Sequence, residues 1–360
     1  MRLAIALGAR GLGQVWPNPA VGCVLARGSH VLARGWTQPG GRPHAEAVAL
    51  ARCDARGATA YVSLEPCAHH GRTPPCAEAL VRAGVVRVVT ALTDPDPRVA
   101  GGGHAMLRAA GVEVVEGVEA AAAREVHAGF LLRVTTGRPW VTLKLALTLD
   151  GRIATAGGES RWITGPLARR RVHAMRARHD AVLVGAGTVR ADNPDLRVRE
   201  LGVTRQPVRI VAARGLDLPL EGRLAASARE TPLWVLHGAR ADGCADGRAD
   251  WLATGAELIE VAEGREGLDP AAMGQALGAR GLTRVLCEGG GALGASLMRA
   301  GLVDEVAVFS AGRMIGADGR AGLGALGLAR LEAAPRFALA QVEVLGGDVL
   351  HRWRRVVEPA

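Results

Sequence analysis

His44, Glu46, Cys67 and Cys76 are the residues whose types and spacing most directly imply chemistry. One imidazole and two thiols fall within a stretch of 33 residues. Three protein ligands of this kind suit a catalytic zinc ion, whose fourth position must stay open for water. Glu46 lies two residues past His44. It is close enough to reach that water and poorly placed to be a fourth ligand. His-x-Glu, then Pro-Cys, then a further Cys, is the pattern of zinc enzymes that deaminate nucleobases, where the Glu moves protons and does not bind metal. The usual gap between the cysteines is about two residues. Here eight residues, Ala68 to Pro75, separate Cys67 from Cys76.

Three other features could carry chemistry. All but one of the 44 basic residues are Arg, and the exception is Lys144. An ammonium is a compact point charge on a flexible stem, whereas a guanidinium is a wide planar fork. A single retained amine therefore suggests a task Arg does poorly, with chance retention as the alternative. Glu288-Gly289-Gly290-Gly291-Ala292-Leu293-Gly294 follows an apolar run and opens a helix, matching G-x-G-x-x-G. Its acidic partner about twenty residues on is missing. We read it as a loop whose N–H groups face a cofactor pyrophosphate. Asn18 stands between Pro17 and Pro19. Its amide can both donate and accept, as a pyrimidine edge requires.

The elements that must position these residues alternate strand and helix. Val21–Ala26 and His30–Gly35 read as a hairpin. Pro43 opens a helix carrying His44 and Glu46. Thr59–Leu64 is a strand running into Glu65-Pro66-Cys67, and Cys76 starts the helix 76–83. Strands at 85–91 and 112–115 and helices at 103–110 and 119–132 complete an α/β layered region. The Pro- and Gly-rich loop Asp94–Gly103 follows a strand's carboxyl end, where such folds bind ligands. A break at Thr135–Pro139 divides the chain into expected domains 1–137 and 138–360. The second holds strands at 140–148, 181–184, 208–212, 233–237, 257–261 and 285–287, with helices at 166–177 and from Gly289 to Ala300. Residues 215–280 are the least legible.

Composition narrows the class. Hydrophobic residues make up 49% and charged residues 22%, which is ordinary for a globular chain. No apolar run is long enough to span a membrane. Six scattered cysteines do not make a disulfide scaffold, and a reducing, cytoplasmic setting is expected. Cys23, Cys53, Cys244 and Cys287, and His104, His127, His173 and His179, read as core or incidental residues. The net charge of +9 suggests anionic partners. Aromatics are 3% and no run of five like charges occurs, so a stacking nucleic-acid groove is not favoured. Two rival readings stay open on spacing alone. One is a nucleic-acid-editing deaminase with a basic RNA-binding partner domain. The other is a structural zinc module in which His69 or His70 closes the metal shell.

With these residues laid out, the chain resembles the bifunctional riboflavin-biosynthesis deaminase–reductases over nearly its whole length. In the first half the resemblance rests on Asn18-Pro19-x-Val21-Gly22, His44-Ala45-Glu46 and Glu65-Pro66-Cys67-x-His69-His70-Gly71-Arg72-Thr73-Pro74-Pro75-Cys76. In the second it rests on Leu143-Lys144-Leu145-Ala146, Leu149-Asp150-Gly151-Arg152, Gly158-Glu159-Ser160-x-Trp162-Ile163-Thr164, Thr188-Val189-x-Ala191-Asp192-x-Pro194 and Glu288-Gly289-Gly290. Val48, Asp96 and Thr148 depart from residues common in that family. The resemblance implies a cytidine-deaminase-like three-layer α/β domain followed by a dihydrofolate-reductase-like one. It implies zinc, NADPH, a pyrimidine ribotide substrate and a homo-oligomer, with no nucleic-acid or membrane partner. It places substrate contacts at Ser160, Arg176, Leu196, Arg199 and Glu288. Cofactor contacts fall at Ala146, Trp162, Thr188, Asp192 and Gly290, Gly291, Ala292, Leu293, Gly294, Ala295 and Ser296. Arg72 is expected to line the deaminase pocket. Lys144 is expected to polarise the opening sugar.

Overall fold

The computed structural model describes residues 1–69, 74–97, 99–203, 205–239 and 245–356. Arg72, His70 and Cys244 lie outside the described residues. The chain divides into two compact units, Met1–Arg138 with Arg280–Thr283, and Pro139–Ala279 with Arg284–Ala360.

In the first unit α1 (Arg2–Gly8) precedes β1 (Gly22–Arg27), β2 (His30–Trp36), α2 (Ala45–Leu50), β3 (Thr59–Val62), α3 (Cys76–Arg82), β4 (Arg87–Thr90), α4 (Gly102–Ala109), β5 (Glu113–Val115) and α5 (Ala120–Thr136). The strands form one sheet in the order β2-β1-β3-β4-β5. β1 is antiparallel to β2 and β3, while β3, β4 and β5 run parallel.

Register explains the layering. Gly22 pairs with Trp36 and Cys23 with Gly35, and successive strand residues point to opposite faces. A Cβ on Gly22 would lie 1.9 Å from the Ala4 carbonyl oxygen, and one on Gly35 would lie 2.2 Å from that of Ala45. Helix α1 therefore rests on one face and the start of α2 on the other. Only glycine permits such close crossings. α1 also packs on α5, α2 on α3, and α3 on α4. The result is helices, sheet, helices, as the sequence pattern requires. The core joins Cys23, Leu25, Ala60, Val62 and Val88 of the sheet to Ala45, Ala49, Ala77, Leu80 and Leu107 of the helices. Val48 also packs against β2, with its Cβ near Gly35.

The second unit runs β6 (Trp140–Thr148), β7 (Arg152–Ala154), α6 (Pro166–Ala177), β8 (Ala181–Gly185), α7 (Ala186–Asp192), β9 (Val208–Ala212), α8 (Arg223–Ala226), β10 (Leu233–His237), α9 (Ala245–Ala253), β11 (Glu257–Glu260), β12 (Glu263–Gly264), β13 (Gly267–Leu268), α10 (Pro270–Ala279), β14 (Arg284–Cys287), α11 (Gly291–Arg299), β15 (Glu305–Ala311), β16 (Arg320–Ala321), β17 (Phe337–Leu345) and β18 (Asp348–Arg355). Nine strands form one sheet, ordered β11-β10-β9-β8-β14-β6-β15-β18-β17. β11 through β15 in that order are parallel, and β18 and β17 close the edge as an antiparallel hairpin. Strand β14 inserts between β8 and β6. That placement brings the glycine loop beside both the Lys144 strand and the Thr188 helix. Helix α7 has no clear sequence signal, yet it starts directly at the carboxyl end of β8.

Candidate functional site

Strand β3 ends at Val62, and the chain passes through Glu65 and Pro66 to present Cys67. Cys76 is the first residue of α3. His44 is not on a helix, as the sequence pattern suggested, but caps α2 in an extended conformation. The close approach of Ala45 to Gly35 fixes that cap against β2. These three elements converge. His44 Nδ1 lies 3.3 Å from Cys76 Sγ and 3.7 Å from Cys67 Sγ. All three ligand atoms fall within 4.8 Å of one another. The Cys76 backbone N–H donates to Cys67 Sγ at 3.3 Å, which steadies the sulfur.

Electrostatics agree with a thiolate-lined metal site. Hydrogen bonding from Cys76 and His44 outweighs burial and pulls the Cys67 pKa down to about 4. Hydrogen bonding with Cys67, then burial, pushes the Cys76 thiol up. The hydrogen bond to Cys67 raises His44 despite its burial. Glu46, in the first turn of α2, is buried, and burial raises its pKa. Its Oε2 is buried with no hydrogen-bond partner. An orphaned carboxylate oxygen beside a three-ligand cluster is what a site built for metal and a proton-bearing substrate needs. Among the described residues the cluster is His44, Cys67 and Cys76, the three protein ligands that a catalytic zinc ion uses.

Asn18 reaches the same neighbourhood. Its Nδ2 donates to the Gly41 carbonyl at 2.7 Å. Gly41 has φ of 85°, and a Cβ there would collide with Asn18 at 2.3 Å. Glycine at 41 thus lets the loop before His44 grip the Asn18 amide.

In the second unit the expected substrate residues pair with each other. Arg176 on α6 grips Glu288 in bidentate fashion, its Nε and Nη2 donating to the two carboxylate oxygens at 2.6 and 2.9 Å. It also donates to the Arg197 carbonyl at 3.0 Å. Burial works to raise the Glu288 pKa, but Arg176, then Lys144, holds it at about 2. Lys144, on β6, is lowered by burial, and Glu288 partly offsets that. Arg199 is exposed, with no ion pair among the described residues. Its backbone N–H donates to His173 Nδ1 at 3.3 Å. Burial, then Arg176 and Arg199, lowers the His173 pKa. His173 therefore belongs to this cluster and is not incidental. Its place three residues before Arg176 on one helix could have signalled this. Leu196 has φ of 63° and buries its side chain in the core, so only its backbone is available to a ligand. Ser160 is half-buried.

The expected cofactor residues gather at the carboxyl ends of adjacent strands β8 and β14. The Gly290 N–H donates to Thr188 Oγ1 at 3.2 Å. This joins the first turn of α7 to the start of α11. A Cβ on Gly291 would meet the backbone of residues 321–324 at 3.1 to 3.4 Å. Gly294 and Ala295 face inward, Gly294 against Leu143 and Leu323, so they pack the helix onto the sheet. Ala292 is exposed, and Leu293 and Ser296 are half-buried. Trp162 is exposed, with Arg169 stacked 4.6 Å from its ring centroid. Arg161 beside it donates to the Asp192 carbonyl at 3.0 Å. Ala146 lies two residues along β6 from Lys144, packed against the core under α6. Thr148 donates to Asp150 and accepts the Arg152 N–H at 2.9 Å, bonds that a serine hydroxyl would also make.

Fold and sites define the class: a zinc-deaminase-type unit followed by a reductase unit in one chain. Residues 1–92 match the family described as cytidine and deoxycytidylate deaminase zinc-binding region, and residues 139–351 match the RibD C-terminal domain. The chain is 39% identical to the riboflavin biosynthesis protein RibD of Escherichia coli K12, covering 97% of this chain and 96% of that one. It is 36% identical to RibD of Aquifex aeolicus, covering 99% and 97%. The solved structure of Acinetobacter baumannii RibD superposes with a TM-score of 0.88 at 38% identity, covering 99% of this chain and 98% of that one. A diaminohydroxyphosphoribosylaminopyrimidine deaminase/5-amino-6-(5-phosphoribosylamino)uracil reductase from Thermotoga maritima gives 0.85 at 34%, covering 99% and 97%. The chain belongs to the RibD family of riboflavin-biosynthesis enzymes, with deaminase and reductase activities. No described helix is long and apolar enough to cross a membrane.

Proposed function

We propose that the first unit deaminates 2,5-diamino-6-ribosylamino-4-pyrimidinone 5′-phosphate, and that the second reduces the ribosyl chain of the product with NADPH. The observation that carries the first half is the convergence of His44, Cys67 and Cys76 around a space that Glu46 enters with an unpartnered oxygen. His44 Nδ1 and the two sulfurs would hold zinc, which when bound lowers the pKa of water for attack on the ring. Glu46 takes the proton released and returns it to the leaving amine, so ammonia departs. Asn18, held by Gly41, orients the pyrimidine edge.

In the second unit, Thr188 and Gly290 to Leu293 would hold NADPH, whose phosphates suit the backbone N–H groups at the start of α11. Bound NADPH supplies a hydride to C1′ of the opened sugar. Trp162, Ala146 and Asp192 would line its path. The Arg176–Glu288 pair leaves Arg176 less free for a phosphate than its sequence context suggested. Exposed Arg199 is the better partner for the 5′-phosphate. Lys144, facing Glu288, would polarise the sugar or its imine.

One coupled assay tests the sequence of steps. Protein given the diaminopyrimidine ribotide releases ammonia without NADPH, and oxidises NADPH only after that step. A chelator that removes zinc abolishes ammonia release while leaving reduction of separately deaminated substrate intact. Reduction lost together with deamination would contradict two independent sites. Lys144→Ala slows NADPH oxidation by about a hundredfold while ammonia release persists. A full reductive rate in that variant removes Lys144 from the chemistry.

A further inference from the structure

Glu65 stands two residues before the metal-ligand candidate Cys67, and its side chain is fully buried. Its carboxylate accepts four backbone N–H groups. Oε2 takes those of Asp94 at 3.1 Å and Gly101 at 3.0 Å. Oε1 takes those of Gly103 at 2.9 Å and His104 at 3.2 Å. All four donors lie on one stretch, the loop after β4 and the first turn of α4. That stretch sits directly on the Cys67 loop. A Cβ on Gly103 would lie 2.0 Å from the Pro66 carbonyl oxygen, and one on Gly102 would lie 3.3 Å from Ala68 Cβ.

The bonding extends outward from the carboxylate. The Asp94 side chain accepts the Asp96 N–H at 2.9 Å, and the Asp96 carbonyl accepts those of Val99 and Ala100 at 2.8 and 2.9 Å. The neighbouring His104 imidazole lies closest to Glu116, at 3.1 Å, and to Thr90 Oγ1, at 3.0 Å, with its Nδ1 3.9 Å from Glu65 Oε1. Charge-assisted bonds of this kind are roughly twice as strong as neutral ones. Strands β3 and β4 are parallel neighbours. Their carboxyl ends thus emit the Cys67 loop and the 94–101 loop side by side, where ligands bind in such sheets.

We propose that Glu65 is a positioning residue for deamination: it fixes the Asp94–Gly101 loop as a wall of the substrate pocket beside Cys67. The inference rests on the deaminase reading above and adds a determinant of substrate binding to it. The four backbone hydrogen bonds to its carboxylate all come from this loop and helix start, and Cys67 Sγ is steadied separately by the Cys76 N–H. Disturbing Glu65 should therefore affect substrate binding before it affects metal binding. Glu65→Gln replaces one oxygen by an amide NH2, a donor that faces N–H donors, so half the clamp is broken.

The test combines kinetics, metal spectroscopy and hydrogen exchange on the full chain. In Glu65→Gln, KM for the ribotide in ammonia release rises about tenfold or more while kcat changes less than about threefold. Zinc stoichiometry and the visible spectrum of the cobalt-substituted protein stay as in wild type. The amides of Asp94 and Gly101, outside any helix or strand, exchange slowly in wild type and about tenfold faster or more in the variant. An unchanged KM, a fall in kcat alone, or loss of zinc overturns the proposal. So does fast exchange at Asp94 and Gly101 in wild type, a measurement that decides even if the variant does not fold. Absence of ammonia release in wild type would refute the substrate assignment instead, and the exchange comparison would still judge the clamp.

Discussion

Glu46→Gln protein is expected to bind zinc and reduce pre-deaminated substrate normally, yet to release ammonia about a thousandfold more slowly or worse. Positioned proton transfer contributes about 10²–10⁴ in rate. In the proposed mechanism one carboxylate performs both transfers, so the upper part of that range applies. The amide fits the same buried space, and the three candidate ligands are untouched. Glu46 Oε2 is buried with no hydrogen-bond partner, so an amide group placed at that oxygen breaks no bond that it makes. Zinc content by atomic absorption and ammonia release measured together decide the point. Retained deamination would remove Glu46 from the reaction. Loss of zinc would make it a ligand, as a closed structural site requires.

The second large effect is expected at Glu288. Glu288→Ala leaves the Arg176 guanidinium, a largely buried group, without its bidentate partner. Breaking such a pair costs about 3–5 kcal/mol, because the remaining charge is stranded. The thermal transition of the protein should fall accordingly, and Glu288→Gln should lie between. Lys144 also loses the carboxylate that offsets its desolvation, so its pKa drops further and reduction slows with it.

The pH dependence has a definite sign. Glu288 falls from its ordinary 4.5 to about 2 in the folded protein. A depressed carboxyl pKa stabilises the fold above the unfolded value, and that stability is lost as pH falls from about 4.5 towards 2. At roughly 1.4 kcal/mol per pKa unit the contribution is about 3 kcal/mol. The stability gap between wild type and Glu288→Gln should be full at pH 7 and should shrink below pH 4.5. A gap that widens on acidification would show that the pair does not stabilise the protein.

Much of the site chemistry was legible because ligand chemistry is tied to residue type. His, Cys and carboxylates are the side chains that hold zinc, and here their spacing already pointed to a three-ligand cluster. Element boundaries were legible where apolar periodicity was strong, as in β6, found at Trp140–Thr148, and α6, found at Pro166–Ala177. Helix α7 was not legible, because seven residues give too little periodicity to register. The capping position of His44 was also missed, since Pro43 marks a helix start only to within a residue or two.

The sequence alone determined which groups have the chemistry to bind metal, that a carboxylate lies two residues from one of them, and that two α/β units follow one another. Tertiary structure decided which of those groups meet. Glu65 finds its four partners 29 to 39 residues away, and Arg176 finds Glu288 across 112. Nothing local signals either, because backbone donors are the same at every residue and a chain with so many arginines marks none of them. Strand order settles these matters. Placing β14 between β8 and β6 brings Gly290 to Thr188 and Glu288 towards Lys144, and pairing β3 with β4 sets the Cys67 loop beside the loop that Glu65 holds.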